Sequence, residues 1–551
     1  MSVDEQLLQT ARAWVAVDPD EKTAAELSAL IDAAASGEAD ASAELADAFD
    51  GTLQFGTAGL RGRLGPGSNR MNRVVVARAA AGLAQYLRDH DGKAIVIGYD
   101  ARYQSDVFAH DTAEIMEAAG ISAKVLPRCL PTPVLAFAIR HLGCDAGVMV
   151  TASHNPPNDN GYKVYLGDGS QIVPPADGEI SACIAAVGPV NEIPRSRDYV
   201  VLGDDLLADY EARAVSLLAP GPRDAQAVYT AMHGVGGEVF MKVTADAGFP
   251  TPRKVAEQFD PDPTFHTVPF PNPEEPGAMD LALAEAASAP ADILIANDPD
   301  ADRCAVGIPE EGSWRKLTGD ETGALLAWWV VQRARARGTT GSGVMAQSIV
   351  SGSLLRSIAE SAGFDYAATL TGFKWISRVP GLVFGYEEAL GYCVDPPAVA
   401  DKDGISAALF LLEMAAHLKA EGRTFPDVLD ELAREHGVHL TSQVTVRVDA
   451  IERIGEAMTR LHAAPPRVLG GRAVTAVEDL SEGVDGLPPT EGLRLTMDGA
   501  RVVIRPSGTE PKLKSYLQVV VPVEGDLAAA RATAQAGMEA LRASVAEAVG
   551  L

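Results

Sequence analysis

The sequence predicts an α/β protein in which three successive α/β units are followed by a smaller α+β domain. Three observations support this fold class. The chain has 551 residues, which is too long for one hydrophobic core. From Ala94 onward, apolar strands alternate with amphipathic helices, and this alternation restarts near Ala227 and again after Thr318. From Ser442 to the end, strands dominate before a closing Ala-rich helix.

The first unit begins with the apolar stretch AIVIGYD, which predicts a buried strand from Ala94. A helix with apolar residues at helical spacing follows it. The next helix is predicted to have Thr132 as its N-cap and Pro133 at its first position. A further strand over residues 146–151 completes a βαβ pattern, which indicates a parallel or mixed sheet.

The later units follow the same rules. We expect a helix from Glu238 in the second unit, a helix after Thr318 in the third, and one capped by Ser351 or Ser353. The last domain should contain a helix from Ile451. Strands are predicted at 227–232, 292–296, around Val344, and at 382–388, 442–448, 493–497, 500–504 and 515–521. The domains are predicted to span residues 1–218, 219–316, 317–436 and 437–551.

Composition excludes several classes of function. The net charge of -29 would repel nucleic acid and acidic membranes, which bind proteins through clustered Lys and Arg. No apolar run is long enough to cross a bilayer, and the acidic start MSVDEQLL does not resemble a secretory signal. The five scattered cysteines are typical of reduced thiols. We therefore expect a cytoplasmic protein without nucleic-acid or membrane partners, whose phosphate sites are built from local donors.

Two loops that follow predicted strands carry residues suited to phosphoryl chemistry. In TASHNPPNDNGYKVY, rigid turn residues would expose the hydroxyl of Ser153, although a plain connection explains the composition equally well. In NDPDADRC, Asp298, Asp300 and Asp302 alternate and could aim three carboxylates at one hard cation such as Mg²⁺. An EF-hand is excluded because Arg303 stands where Gly is needed. Three such aspartates would repel each other without a cation.

Two further loops could bind sugar and phosphate. FGYEEALGY places Glu387 and Glu388 at a strand end, where carboxylates could accept hydrogen bonds from sugar hydroxyls. RPSGTEPKLK combines a guanidinium, two hydroxyls, a glycine that permits a backbone nest and a lysine, and it reads as a phosphate clamp. The Gly-rich stretches FGTAGLRG and HGVGG are weaker patterns, and His233 is interpreted as structural.

In this order, the four loops resemble those of the α-D-phosphohexomutase superfamily, the phosphoglucomutases and phosphomannomutases. The resemblance covers nearly the whole chain. It implies three related α/β domains and a smaller C-terminal domain around a central cleft. The motifs EEALGY and TGFKW resemble those of the branch of this superfamily that contains type-two phosphoglucomutases and phosphopentomutases.

The resemblance also implies roles for individual residues. Ser153 would carry the phosphoryl group and, through it, contact the Mg²⁺ held by Asp298, Asp300 and Asp302. Lys374, the first choice, or Lys163 would act as general acid or base. Arg61 and Arg303 would stabilise the transferring group. The implied substrate-binding residues are Thr57, His154, Gly372, Glu387, Glu388, Arg505, Ser507, Gly508, Thr509 and Lys512.

The implied activity is a phosphosugar mutase that interconverts sugar 1-phosphate and 6-phosphate, activated by a bisphosphorylated sugar. Glucose is the first-choice sugar and mannose the second. Many family members carry serine after the glutamates, whereas this chain has Ala389, so ribose phosphate stays an alternative. A phosphatase in which Asp298 attacks, and a sugar-phosphate sensor without turnover, are the competing hypotheses. A monomer or weak homodimer is expected.

Overall fold

The computed structural model describes residues 4–57, 59–448, 452–506 and 512–550. The chain divides into two compact units. The first comprises Met1–Lys316 and Gly391–His417, and the second comprises Leu317–Leu390 and Leu418–Leu551. No helix of the described residues combines the length and the apolar character needed to cross a bilayer.

Helices of the first unit include three at the N-terminus that the sequence analysis did not predict. They pack on one another through a small core around Leu27 and Leu45. The helices are α1 (Glu5–Val15), α2 (Glu21–Ala35), α3 (Ala39–Ala48), α4 (Arg73–Asp89), α5 (Ser105–Ala118), α6 (Thr132–His141), α7 (Ala176–Ala185), α8 (Asp205–Ser216), α9 (Gly236–Asp246) and α10 (Asp280–Ser288). Most of α14 (Gly404–Ala420) also belongs to this unit, which ends at His417.

Eleven strands of the first unit build two mixed sheets. They are β1 (Leu60–Arg63), β2 (Ala94–Tyr99), β3 (Ser122–Val125), β4 (Ala146–Val150), β5 (Asp159–Leu166), β6 (Val200–Val201), β7 (Ala227–Thr230), β8 (Arg253–Lys254), β9 (Ile293–Asn297), β10 (Cys304–Glu310) and β11 (Ser313–Lys316). Strand β15 (Gly391–Cys393) also lies in this unit but belongs to neither of these sheets. The first sheet has the order β1-β5-β4-β2-β3-β6, and the second has the order β11-β10-β9-β7-β8.

In each sheet the central strands are parallel and one side is antiparallel. Strand β2 runs parallel to β3 and β4, whereas β5 returns antiparallel to β4. Strand β7 runs parallel to β9, whereas β10 returns antiparallel to β9. The turn between β4 and β5 therefore carries the loop that contains Ser153, here called the serine loop. The turn between β9 and β10 carries the loop that contains Asp298, Asp300 and Asp302, here called the acidic loop. Both lie at carboxyl ends of strands, where open α/β sheets bind ligands.

The second unit contains the third α/β domain and the C-terminal α+β domain. Its elements are α11 (Gly319–Arg337), β12 (Val344–Ser348), α12 (Leu354–Ser361), β13 (Asp365–Thr369), α13 (Phe373–Ile376), β14 (Leu382–Glu387), α15 (Phe425–His436), β16 (Val438–Arg447), α16 (Glu452–Ala463), β17 (Val468–Leu469), β18 (Arg472–Asp479), β19 (Leu493–Met497), β20 (Ala500–Pro506), β21 (Lys512–Val521) and α17 (Leu527–Val549).

The sheets of the second unit differ in kind. Strand β12 runs parallel to both β13 and β14. The C-terminal sheet has the order β16-β21-β20-β19-β18-β17 and is antiparallel throughout. Helix α17 packs on this sheet through Ala534, Met538 and Leu541. The predicted fold class, three α/β units and a smaller α+β domain, is confirmed.

One predicted helix cap is wrong, and the other is confirmed in position. Helix α6 has Pro131 rather than Thr132 at its N-cap position, and the Thr132 hydroxyl donates to Asp300 Oδ2 at 2.7 Å. Ser353 stands at the N-cap position of α12, as predicted, although its side chain makes no capping bond. The predicted start at Ile451 lies outside the described residues, and helix α16 begins at Glu452.

Candidate active site

Strand ends place the serine loop and the acidic loop in direct contact within the first unit. Ser153 is 3% exposed, and its Oγ donates to Asp298 Oδ2 at 3.1 Å. Its own backbone has a φ of 52°, a left-handed conformation that serine rarely adopts. The Ser153 amide donates to Thr151 Oγ1, which stabilises the turn. The fold thus brings together two loops that the sequence separates by 145 residues.

Asp298, Asp300 and Asp302, the aspartate triad, are fully buried at the β9–β10 turn. One carboxylate oxygen from each lies within 4.8 Å of the others. Oδ1 of Asp300 and of Asp302 are buried without a hydrogen-bond partner among the described residues. Unpaired buried oxygens are costly unless a ligand satisfies them. The triad therefore fits a hard divalent cation such as Mg²⁺, which prefers oxygen ligands.

Two lysines compensate the charge of the triad. Lys163 Nζ donates to Asp300 Oδ2 at 2.7 Å and to Asp302 Oδ2 at 3.0 Å. Lys402 Nζ lies 3.2 Å from Asp302 Oδ2. Burial alone would raise the pKa of Asp302, but Lys163 and Lys402 hold it below its usual range. Conversely, burial and the other two aspartates raise the pKa of Asp298 well above its usual value.

The predicted arginines flank the same loops. Arg303 Nε lies 3.7 Å from Asp298 Oδ2 and 3.8 Å from Asp302 Oδ1. Arg61, on β1, donates from Nη1 to Asn155 Oδ1 at 3.3 Å. These two guanidinium groups could supply positive charge to an anionic group bound near the Ser153 hydroxyl.

His154 and Thr57 lie in the same unit. His154 Nδ1 is 3.2 Å from Ser153 Oγ. Burial, together with Arg303 and Arg61, lowers the pKa of His154 well below its usual value, so the imidazole is neutral near pH 7. Thr57 is half-buried in the Gly-rich loop before β1. The loop passes close to β5, since a Cβ on Gly59 would lie 1.9 Å from the Tyr162 carbonyl oxygen.

Arg102 is a site residue that sequence reasoning missed. Its Nη2 donates to the Ser153 carbonyl at 2.6 Å and the Asn155 carbonyl at 2.7 Å. Its Nη1 donates to the carbonyls of Pro156 at 2.8 Å and Asp159 at 3.2 Å. One buried guanidinium therefore holds the serine loop by its backbone. Its place just after β2, at the carboxyl end of a strand, was an available signal.

Lys402 and its neighbours were missed as well. Lys402 lies 3.6 Å from Asp401 Oδ1, and Asp401 Oδ2 accepts from the Tyr165 hydroxyl at 2.8 Å and from Gln171 Nε2 at 2.8 Å. Asp401 and Lys402 lie just before α14, about a hundred residues after the triad in the sequence. No local pattern in the sequence could have linked them to the triad.

Residues predicted in the third domain lie at one edge of the parallel sheet in the second unit. Gly372 and Lys374 follow β13, whereas Glu387 ends β14. Glu388 Oε2 accepts from Ser348 Oγ at 3.0 Å and Ser351 Oγ at 2.8 Å. Burial, and then the adjacent Glu387, raises the pKa of Glu388 to about 7. Ser348 is the last residue of the central strand β12 and Ser351 follows that strand; neither was predicted as a site residue.

The predicted phosphate clamp is only partly described. Arg505 lies on β20 opposite Lys514 on β21, and Lys512 is buried at the start of β21. Ser507, Gly508 and Thr509 lie outside the described residues. The described flanks, β20 and β21, pair with each other as antiparallel strands.

Comparison with known proteins matches four family models along the chain. They are described as phosphoglucomutase/phosphomannomutase α/β/α domain I (residues 52–189), domain II (209–311), domain III (318–436) and C-terminal domain (444–542).

Three relatives span most of the chain. A Haemophilus influenzae protein named "Probable phosphomannomutase" is 49% identical over 455 residues, which cover 81% of this chain and 92% of the relative. Human phosphopentomutase is 33% identical, with coverage of 94% and 92%. Staphylococcus haemolyticus phosphoglucomutase is 34% identical, with coverage of 86% and 91%.

Proposed function

The chain belongs to the phosphoglucomutase/phosphomannomutase family and is a phosphosugar mutase, and on that premise we propose that it interconverts hexose 1-phosphate and hexose 6-phosphate through a phosphorylated Ser153. Glucose is the first-choice sugar and mannose the second. The observation that carries the proposal is the contact of Ser153 Oγ with Asp298 Oδ2 at 3.1 Å.

The first half-reaction would transfer the phosphoryl group from Ser153 to the free hydroxyl of the sugar. The bond between phosphorus and Ser153 Oγ breaks, a bond to the sugar oxygen forms, and the hydroxyl proton passes to a general base. The serine oxygen takes up a proton as it leaves. In the second half-reaction, the other phosphate of the bisphosphorylated sugar returns to Ser153.

Within this scheme the residues of the first unit mainly position and neutralise charge. Asp298, Asp300 and Asp302 would hold Mg²⁺, which when bound supplies positive charge to the phosphoryl oxygens. Arg61 and Arg303 would add to that charge. Arg102 would keep the serine loop in place through its four carbonyl contacts.

Lys374 is the preferred general acid or base. Lys163 is already engaged by Asp300 and Asp302, and although burial alone would lower its pKa, these carboxylates raise it. A lysine whose pKa is raised keeps its proton and is a poor base. The ion pairs of Lys163 make it the weaker candidate, and the TGFKW resemblance implies the lysine of the third domain.

Sugar and phosphate recognition are assigned to the second unit. Glu387 and Glu388 would accept hydrogen bonds from sugar hydroxyls, and Gly372 lies on the neighbouring loop. Arg505, Ser507, Gly508, Thr509 and Lys512 would bind the phosphate that does not react.

Ribose phosphate is the second candidate substrate. Ala389 replaces the serine that many hexose enzymes of the family carry, and the human relative that spans 94% of this chain is named a phosphopentomutase. The relatives carry three different names, so the sugar has to be measured.

The decisive experiment assays glucose, mannose and ribose 1-phosphates in parallel, with Mg²⁺ and a bisphosphorylated activator, on the wild type and Ser153→Ala. We expect wild-type turnover, highest with glucose 1-phosphate, and one phosphoryl group on Ser153 by peptide mass spectrometry. Turnover by Ser153→Ala with release of inorganic phosphate would indicate a phosphatase. Thermal stabilisation by sugar phosphate without interconversion would indicate a sensor. Faster conversion of ribose 1-phosphate would overturn the hexose assignment.

A further inference from the structure

A second group of metal-ligating side chains lies in the first unit, apart from the aspartate triad. It consists of His233, Asp262 and His266, here called the histidine cluster. One ligand atom from each residue lies within 4.8 Å of the others. Asp262 Oδ2 is 3.0 Å from His266 Nδ1, and the two imidazole rings are 4.5 Å apart at their centroids. His233 follows β7, whereas Asp262 and His266 come from the loop after β8.

The donor set selects the class of ion. Two imidazoles and one carboxylate suit borderline transition metals such as Zn²⁺, Co²⁺ and Ni²⁺, whereas Mg²⁺ prefers oxygen ligands. A metal requires neutral imidazole. Binding at this cluster should therefore weaken as protons compete for the imidazole nitrogens.

A buried hydrogen-bond chain orients the inner ligand. His233 Nε2 is 2.8 Å from Thr267 Oγ1, which also accepts from Gln258 Nε2 at 2.9 Å. Gln258 is itself fixed by a bond from Thr230 Oγ1. Metal-binding histidines typically use their second ring nitrogen in such a bond. Among the described residues no hydrogen bond engages Nδ1 of His233, so this nitrogen is available to a metal.

Backbone contacts hold the ligand-bearing loops together. The Asp262 amide donates to the His233 carbonyl at 3.0 Å, and the His233 amide donates to the Gln258 carbonyl at 2.8 Å. His233 has a φ of 60°, a left-handed conformation that directs its side chain within a tight turn. The ligands are thus presented by a preformed backbone, which lowers the entropic cost of binding.

We propose that the histidine cluster binds one transition-metal ion through His233, Asp262 and His266, with the remaining coordination positions open to water. The cluster is accessible from solvent on the side of His266 and Asp262, because the His266 side chain is 58% exposed and that of Asp262 is 34% exposed. The ion would clamp the loop after β8 onto the His233 turn. That turn contacts the acidic loop, since the Val235 amide donates to the Pro299 carbonyl at 2.9 Å.

The test uses the full-length protein, stripped by a chelator and then supplied with excess Mg²⁺ to occupy oxygen sites. Co²⁺ is titrated and followed by visible absorption and calorimetry. We expect one Co²⁺ per chain with ligand-field bands of imidazole coordination, and weaker binding as the pH falls and the imidazoles take up protons. His266→Ala and Asp262→Asn should each weaken binding at least about tenfold.

His141→Ala is the matched control. His141 Nε2 also lies 3.0 Å from a carboxylate, Asp209 Oδ2, but in a pair that brings no second imidazole. This variant should bind Co²⁺ like the wild type. His266 is exposed, so its removal should leave the far-UV circular dichroism unchanged. Absence of imidazole-type bands, or equal binding by His266→Ala and the wild type, would overturn the proposal.

Discussion

Two carboxylates, the buried Asp302 in the first unit and the half-buried Glu388 in the second, lie in opposite electrostatic surroundings. Asp302 is bound by the ammonium groups of Lys163 and Lys402, which hold its pKa below the usual range. Glu388 is bound by the hydroxyls of Ser348 and Ser351 and adjoins another glutamate, and its pKa rises to about 7. Each carboxylate follows a strand, so the difference comes from its partners.

This difference separates the two tasks proposed above. Around Asp302 fixed ion pairs with two lysines compensate the charge, so this carboxylate is ionised before any substrate arrives. Around Glu388 the partners are two hydroxyls and a neighbouring glutamate, so its protonation state changes near physiological pH. The surroundings of Asp302 are called the fixed region, and those of Glu388 the adjustable region.

The strongest test of the fixed region is Ser153→Ala. We expect mutase activity to fall by about 10³-fold or more, because a mutase without its nucleophile has no route for transfer. The thermal midpoint should change little, since only one hydroxyl is removed. Initial rates and a thermal melt measure both quantities. Ser122→Ala, an exposed serine of the same domain, is the control and should keep full activity.

Lys163→Met tests whether ion pairs hold the triad. Removing one partner from a buried pair leaves uncompensated charge and should cost about 3–5 kcal/mol of stability. Denaturant unfolding without added metal measures the effect. Lys242→Met removes an exposed pair with Asp246 and should change stability far less, because solvent screens that pair. Equal losses in the two variants would contradict a fixed charge network.

Arg102→Lys tests the positioning of the serine loop. A lysine keeps the positive charge but cannot reach four carbonyl groups at once. We expect kcat to fall about tenfold to a hundredfold, with a smaller change in KM, since the loop would hold Ser153 less accurately. Arg128→Lys, which alters a surface arginine paired with Asp204 and Glu238, should leave kcat unchanged. An unaltered kcat in Arg102→Lys would refute the positioning role.

The smallest expected effect concerns the adjustable region. Because the pKa of Glu388 is raised from 4.5 to about 7, the folded state keeps a proton that the unfolded state loses between these values. Stability should therefore fall as pH rises through this window, with a slope of up to about 1.4 kcal/mol per pH unit. Thermal melts from pH 5 to pH 8 should show a weaker decline in Glu388→Gln.

Glu360→Gln is the control for that comparison, since Glu360 forms an exposed pair with Arg356 on α12. It should follow the pH dependence of the wild type. A Glu388→Gln protein with the same slope as the wild type would show that Glu388 is not the titrating group.

The fold class follows from the sequence, because hydrophobic periodicity and turn residues are local properties. The serine loop, the triad, the two glutamates and the RPSGTEPKLK run could be recognised in the same way, because each is a short run that follows a predicted strand. The resemblance to one family arose from those runs in their order, and the four family models agree with it.

The residues that surround the serine loop and the triad could be identified only from the three-dimensional structure. Arg102, Thr132 and Lys402 reach Ser153, Asp300 and Asp302 from distant parts of the chain. The same holds for His233 and His266, which come from loops that follow different strands. A hydrogen bond or ion pair depends on distances of about 3 Å, which sheet order and strand register set and which residue spacing along the chain does not encode.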